Sequence, residues 1–409
     1  MKKVFAITLG ILTAIGGFVD IGDLVANALI GSRYAFALAW VVPIGVLGIC
    51  LYAEMCGRVA AISGRPVFDV IRERLGPRLA LANLAASLLV TGLTLAAEIG
   101  GVALAMELAT SVNYLLWVPL VGVLVWIVIW RVKFQHMETA FGLLGLFLVV
   151  FAVAWWKLGP HWGNVLHQVT HPALPPNEGL PTYLYYAIAL FGAAMTPYEV
   201  FFFSSGAVEE HWRRNDLTVM RANVFVGFPL GGLLSLAIMG TAALVLFPLG
   251  VQVDSLGQVA LPVVVALGKI GLAVVLVGIF AATFGAALET GLSVGYTAAQ
   301  FFGWQWGKLV RPLNAARFHV FTLISLLGGV LLIMTTLDPI KVTEYSIVFS
   351  AVALPLTYLP ILIVANDKDY VGDRVNGRIA NALGMIYLVI VVAASAAAIP
   401  LMIATKAGQ

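Results

Sequence analysis

Two aspartates stand three residues apart, Asp20-Ile21-Gly22-Asp23, inside the first apolar stretch of the chain. Residues 4–19 ahead of them and 24–30 behind them are almost wholly apolar. An ionised carboxylate at bilayer depth is costly unless it lines a water-filled cavity or holds a cation. Two within one helical turn therefore point to a cation site at the membrane centre. Gly16, Gly17 and Gly22 loosen the helix at that depth, so freed backbone carbonyls can also turn toward the ion.

A second interruption lies at Gly192-Ala193-Ala194-Met195-Thr196-Pro197-Tyr198-Glu199, within a span over 181–207. Pro197 removes a backbone donor and clashes with the preceding turn. In a membrane such a break persists only where neighbouring groups or water satisfy the freed backbone. Five helices separate the beginnings of the two broken spans. That is the pattern of two five-helix inverted repeats meeting at a midplane site.

The elements that must position these residues follow from composition. The chain has 409 residues, is 61% hydrophobic and 11% charged, and has a mean hydropathy of +1.00. A soluble chain carries about twice that charge fraction. Taking ~20 apolar residues per span, eleven segments qualify: 4–30, 34–57, 79–111, 113–130, 138–156, 181–207, 221–248, 262–302, 316–337, 342–365 and 379–404. The eighth is long enough to extend beyond the membrane. The expectation is an all-α polytopic membrane protein, one transmembrane domain over 1–409. Inverted repeats would cover about 4–156 and 181–365, with an extra helix at 379–404. The Met-Lys-Lys start reads as the head of the first span, because no small-residue cleavage site closes a short apolar core.

Lys and Arg counts set the orientation. With the amino terminus inside, inner loops hold eighteen of the 23 Lys and Arg residues, the outer loops and carboxyl tail four, and Lys269 falls within the eighth segment. This predicts a plasma membrane protein (bacterial inner membrane) with a cytoplasmic amino terminus and the carboxyl terminus outside. The net charge of +3 is this bias, not a nucleic-acid surface. Cys50 and Cys56 read as core residues, since their spacing is neither a metal knuckle nor a disulfide framework. The outer loop over 157–180 carries Pro160, Pro172, Pro175 and Pro176 with His161, His167 and His171. It reads as a solvated loop, with a metal-collecting loop as the other reading. None of the six histidines falls mid-membrane.

With these stretches in view, the chain resembles the Nramp family of divalent metal-ion transporters. That family has Asp-Pro-Gly-Asn at its first-helix break and Met-Pro-His at its sixth. The matching stretches here are Asp20-Ile21-Gly22-Asp23 and Thr196-Pro197-Tyr198. Further agreement lies at Gly64-Arg65-Pro66 with Asp69 to Arg74, at Ala286 to Phe302, at Leu354-Pro355, and from Ala365 to Gly372. The resemblance spans essentially the whole chain and implies a fold similar to the amino-acid transporter LeuT, with broken helices one and six. It also implies the ligands: Asp20, Asp23, the Ala193 carbonyl and Thr196.

The departures shape the expected function. Asp23 stands where the family has Asn, and Thr196 where it has the Met thioether. A soft sulfur ligand favours transition metals, and hard oxygens with room for water suit Mg²⁺. A glutamine common in the family's tenth helix would fall at Ala353. The chain thus resembles the Nramp-related magnesium transporters. Of the family's helix-three Asp and Glu pair, which aligns with Leu95 and Glu98, Glu98 alone remains. The sixth-helix histidines align with Tyr198 and Phe203. Tyr198, Glu199 and Glu98 are expected around the ligands or in a vestibule. Glu289 is undecided between packing and path, and Glu54 pairs with Arg58.

The expectation is a secondary transporter of divalent cations working by alternating access. It would favour hard ions, Mg²⁺ first and Mn²⁺ second, without proton coupling. The alternative is a proton-coupled Mn²⁺ or Fe²⁺ transporter of the ordinary family type. An intramembrane enzyme is a different class; both acids lie on one helix, and no His-Glu-x-x-His or Gly-x-Ser-x-Gly motif occurs. No cofactor is expected, since the ion is cargo. The partners are the ion and the lipid bilayer. The oligomeric state is not set by the sequence, which is compatible with a monomer.

Overall fold

A chain this apolar buries its backbone polar groups in helices, because lipid offers them no partners. The computed structural model describes residues 2–175, 178–308 and 310–408 and is helical throughout. Pro176 lies outside the described residues, as do the side chains of Lys2 and Lys3. The helices are α1 (Lys2–Gly17), α2 (Ile21–Tyr34), α3 (Val41–Ser63), α4 (Val67–Leu75), α5 (Pro77–Thr110), α6 (Tyr114–Arg131), α7 (Phe134–Gly145), α8 (Val150–Lys157) and α9 (Trp162–Thr170). They continue as α10 (Leu180–Ala194), α11 (Pro197–Glu209), α12 (Leu217–Ala222), α13 (Phe228–Val245), α14 (Leu256–Phe302), α15 (Ala316–Met334), α16 (Pro339–Val364), α17 (Lys368–Val371) and α18 (Arg378–Ala404). Among the described residues there are 10 membrane-length apolar spans, and up to 11 if the bent pair of α1 and α2 counts as one.

Both expected breaks are present. The α1 and α2 axes diverge by 60° across Phe18-Val19-Asp20. Met195 and Thr196 separate α10 from α11, which starts with Pro197 at its first position. The chain between Ile21 and Ile30 is buried on every side, its polar Asp23 and Asn27 included. Small residues set how close the helices approach. A Cβ on Gly16 would lie 1.8 Å from the Gly142 carbonyl oxygen, and one on Gly145 would lie 2.1 Å from the Gly16 carbonyl oxygen. The backbones of α1 and α7 therefore touch directly.

Three of the expected spans are more irregular than a hydropathy reading shows. The eighth segment is two helices: Gly268, at φ 66° and ψ −150°, breaks α14 into a piece before it and the span from Lys269 onward. Apolar residues on both sides hid that joint from a hydropathy reading. The loop over 157–180 carries the short helix α9 at Trp162–Thr170, none of whose residues is buried, in keeping with a solvated segment. Its His167 and His171 rings stack at 4.9 Å, and among the described residues no three His, Cys, Asp or Glu side chains form a metal cage. The segment over 138–156 is interrupted by a 3₁₀ turn at Leu146–Val149, and the seventh begins with a π turn at Asn223–Gly227. There the buried Cys50 donates its thiol to the Val224 carbonyl at 3.1 Å.

Two of the stretches that carried the family resemblance, 64–74 and 365–372, meet at one end of the bundle. Arg65 reaches Asp69 at 2.8 Å and Glu73 at 2.5 Å, Tyr370 donates to Glu73 at 3.1 Å, and Arg74 pairs with Asp367. The Arg65 guanidinium holds the Glu73 carboxyl below the usual range. Glu54 takes Arg58 at 3.2 Å, as expected, and also Arg221 at 2.9 Å. At the opposite end Arg33, in the last turn of α2, grips Glu178 at 2.5 Å and donates to the Tyr186 hydroxyl of α10 at 3.0 Å. Tyr34 donates to the same carboxylate at 3.2 Å, and the Gly408 carbonyl accepts from Arg33 at 2.7 Å. That clasp ties the carboxyl-terminal end of α2 to α10.

Candidate metal site

Asp20 is the N-cap of α2, in extended backbone with φ −101° and ψ −173°. Its Oδ1 accepts the Asp23 backbone N–H at 2.9 Å, the bond expected of a capping aspartate. Its Oδ2 accepts the Tyr198 hydroxyl at 2.9 Å. Asp23, one turn into α2, is held more loosely: Asn27 donates to its Oδ1 at 3.4 Å and Ser235 at 3.5 Å. Both aspartates are buried, at 5% and 4% exposure. Two carboxylates this deep require a cation or protons to offset their desolvation.

The second break supplies neutral oxygens. The helical partner of the Ala193 carbonyl would be the N–H of residue 197, and Pro197 has none. The Gly192 carbonyl, in the last turn of α10, accepts the Ser350 hydroxyl of α16 at 3.1 Å. Thr196-x-x-Glu199 spells a capping box, yet no cap bond forms at Thr196. Its hydroxyl instead donates to Glu199 Oε2 at 3.3 Å. Met195 does not replace the absent sulfur ligand: its Sδ packs against Gly48 of α3, where a Cβ would meet it at 2.6 Å.

Glu98 of α5 reaches this centre from a third direction. It is fully buried, and its Oε1 accepts the Ile21 N–H at 3.1 Å. Its Oε2 has no hydrogen-bond partner among the described residues, and neither does the Asn27 Oδ1. An unpartnered buried carboxylate oxygen costs its full desolvation, so Glu98 calls for a proton or a cation.

Two cavities flank the breaks. A larger one, about 90 Å³, is bordered by Gly17, Glu199, Phe202, Asn223 and Glu289 and lies toward the end of the bundle where α1 begins. On the other side of Asp20 and Thr196 lies a pocket of about 10 Å³. Its wall includes Thr94, Thr343, Ser346 and Ser350, none of which the sequence reading named. Ala353 is buried and borders neither cavity. The signal for the hydroxyl wall was present: Thr343, Ser346 and Ser350 recur at helical spacing on one face of α16. All seven expected residues lie at or beside the two breaks: Asp20, Asp23, Ala193, Thr196, Tyr198, Glu199 and Glu98.

With the geometry in hand, comparison with known proteins places the chain. The model of the Nramp family, natural resistance-associated macrophage protein-like, matches residues 10–400. A divalent metal cation transporter MntH of Pectobacterium carotovorum is 24% identical over 386 residues, 92% of this chain and 89% of the relative. One from Deinococcus radiodurans is 25% identical over 390 residues, 92% and 85%. Among solved structures, the Eremococcus coleocola manganese transporter superposes with a TM-score of 0.69 at 22% identity, covering 95% of this chain and 85% of that one. Mhp1, a nucleobase-cation-symport-1 family transporter, gives 0.61 at 15% identity, over 96% and 91%.

These findings correct the expected function. The relatives are described as divalent metal cation transporters and the structural neighbour as a manganese transporter. A magnesium-preferring branch is overturned. The lost thioether, the second carboxylate at Asp23 and the small Ala353 all point to hard oxygen ligation, and hard oxygen donors suit Mn²⁺ as well. The expectation of transport without proton coupling falls with the magnesium reading. It counted Glu98 as the sole acid left, whereas Glu199 and Glu289 border the larger cavity beside the first break.

Proposed function

Because this chain belongs to the Nramp family, an integral membrane family of metal-ion transporters and not of enzymes, we propose that it is a proton-coupled secondary transporter of Mn²⁺. The ion is held by Asp20, Asp23, the Ala193 carbonyl and Thr196. The observation that carries this reading is two buried carboxylates at the first helix break, with the second break beside them: Tyr198 donates to Asp20 at 2.9 Å, and Thr196 shares a pocket with Asp20. Carboxylate, carbonyl, hydroxyl and water oxygens form a donor set suited to Mn²⁺.

The fold is read as LeuT-like, with inverted repeats over about 4–156 and 181–365, each opening on a broken helix. In support, helices broken at mid-membrane are the usual seat of substrate and coupling ions in such folds. The Lys and Arg bias places the amino terminus in the cytoplasm. On that orientation the larger cavity opens inward and the Arg33–Glu178 clasp closes the outside, one limb of an alternating-access cycle. Glu98 is read as the proton carrier, since it touches the metal-site backbone through Ile21 and keeps one oxygen unpartnered.

The test is Mn²⁺ uptake into proteoliposomes that hold a pH-sensitive dye. Mn²⁺-dependent internal acidification is expected. Uptake with no acidification would overturn proton coupling, and no Mn²⁺ uptake would overturn the cargo. A smaller effect is expected at Tyr198. Its hydroxyl fixes the Asp20 carboxylate, and a hydrogen bond to a charged group is worth roughly 1.5–3 kcal/mol, part of which the ion regains by relaxation. Tyr198→Phe should therefore raise the KM for Mn²⁺ by about 3- to 10-fold and change kcat little. A changed kcat with unchanged KM would show that the hydroxyl serves the conformational step.

A further inference from the structure

The small pocket on the outer side of Asp20 is bordered by five hydroxyl side chains: Thr94, Thr196, Thr343, Ser346 and Ser350. A hydroxyl has one proton to give and two lone pairs to accept with. Every one of those protons is already spent. Thr94 donates to the Val90 carbonyl at 3.0 Å. The 2.7 Å contact between Thr94 and Ser346 must then use the Ser346 proton, since Thr94 has no second one. Thr343 donates to the Pro339 carbonyl at 2.8 Å, Ser350 to the Gly192 carbonyl at 3.1 Å, and Thr196 to Glu199 at 3.3 Å. What this wall can offer is lone pairs alone, and it faces a carboxylate.

An acceptor-only wall beside a carboxylate repels anions and fits groups that carry only donors outward. Water bound to a divalent cation is such a group, because its oxygen is committed to the metal and both hydrogens point away. The pocket volume of about 10 Å³ is close to the minimum that holds one water. A bare ion there would have no carboxylate on its far side.

We infer that this hydroxyl arc is a subsite for a metal-bound water. The transported ion keeps one water on its outer face, and Ser346 and Ser350 accept that water's hydrogens. The inference rests on Asp20 as a metal ligand. Ser346 and Ser350 are thereby positioning residues that act through the water, and Ser350 also couples the α10 break to α16 through the Gly192 carbonyl.

The test uses the full-length protein in detergent with Mn²⁺ as probe. Affinity is measured by titration, and the waters on bound Mn²⁺ are counted by magnetic resonance in ¹⁷O-enriched water. Ser346→Val puts an apolar branch where the water sits. It should lower the water count by one and weaken Mn²⁺ binding by about 10-fold, the size of one lost hydrogen bond to a charged centre. Ser350→Ala, a smaller change should the valine variant fail to fold, should weaken binding about 3- to 5-fold by the same loss, and lower the count where the remaining hydroxyls cannot hold the water. An unchanged count in Ser346→Val with affinity within two-fold of the parent, or an unchanged affinity in Ser350→Ala, overturns the subsite. Asp20→Asn separates the two levels. If it still binds Mn²⁺ as the parent does, the metal-site reading falls and takes the subsite with it. If it abolishes binding while the serine variants are silent, the subsite alone falls.

Discussion

Asp20→Ala and Asp23→Ala are each expected to lower Mn²⁺ uptake by about 100-fold or more, with the protein still monodisperse. A factor of 100 is about 2.7 kcal/mol, a modest figure for losing a carboxylate ligand in a site with few of them. Asp20 also has a structural duty, since it caps α2, and alanine at an N-cap costs roughly 0.5–2 kcal/mol of stability. Loss of uptake in Asp20→Ala alone would leave the two duties mixed. Asp20→Asn separates them, because asparagine caps as well as aspartate but brings no charge to the ion. The melting temperature of Asp20→Asn should stay within a few degrees of the parent while its uptake falls as far as that of Asp20→Ala. Uptake near the parental level in Asp20→Asn would reduce Asp20 to a cap and leave the cation to Asp23.

Glu98→Gln is expected to have the other large effect, and a different one. Glutamine keeps an oxygen to accept the Ile21 N–H, so the local backbone holds. It removes the group that can take up and release a proton at the unpartnered Oε2. Mn²⁺ binding should stay within about three-fold of the parent, because no ligand is lost. Mn²⁺-driven acidification of proteoliposomes should fall about 100-fold or more, the scale at which a proton-transfer group is felt. Acidification that persists in Glu98→Gln would move the proton to Glu199 or Glu289, which border the inner cavity. Binding that collapses with it would make Glu98 part of the metal site.

The two helix breaks and the acids at them were legible in the sequence because each depends on few residues in a row. Pro197 lacks an N–H wherever it is placed, and Asp20 precedes a helix start that an aspartate can cap. Metal preference was not legible in this way. It depends on how many oxygens converge and on the water they admit, and a single Met-to-Thr exchange does not fix either number. That is why the magnesium reading failed, although the residues expected at the site lie at or beside the two breaks.

What the tertiary structure decided are pairings across long stretches of chain. Tyr198 meets Asp20 across 178 positions, Glu98 meets Ile21 across 77, and Ser346 meets Thr94 across 252. No local pattern encodes such partners, because the packing of α5, α11 and α16 around α2 chooses them. The same packing turns the α16 hydroxyls toward Asp20, where an isolated helix would show them only as common back-bonded serines and threonines. It also brings the Arg33 end of α2 to Glu178 and Tyr186, which closes one end of the bundle. The sequence determined that two helices must break around buried charge. The fold decided which oxygens, and which way out, those charges face, because only packing brings distant donors within hydrogen-bond reach.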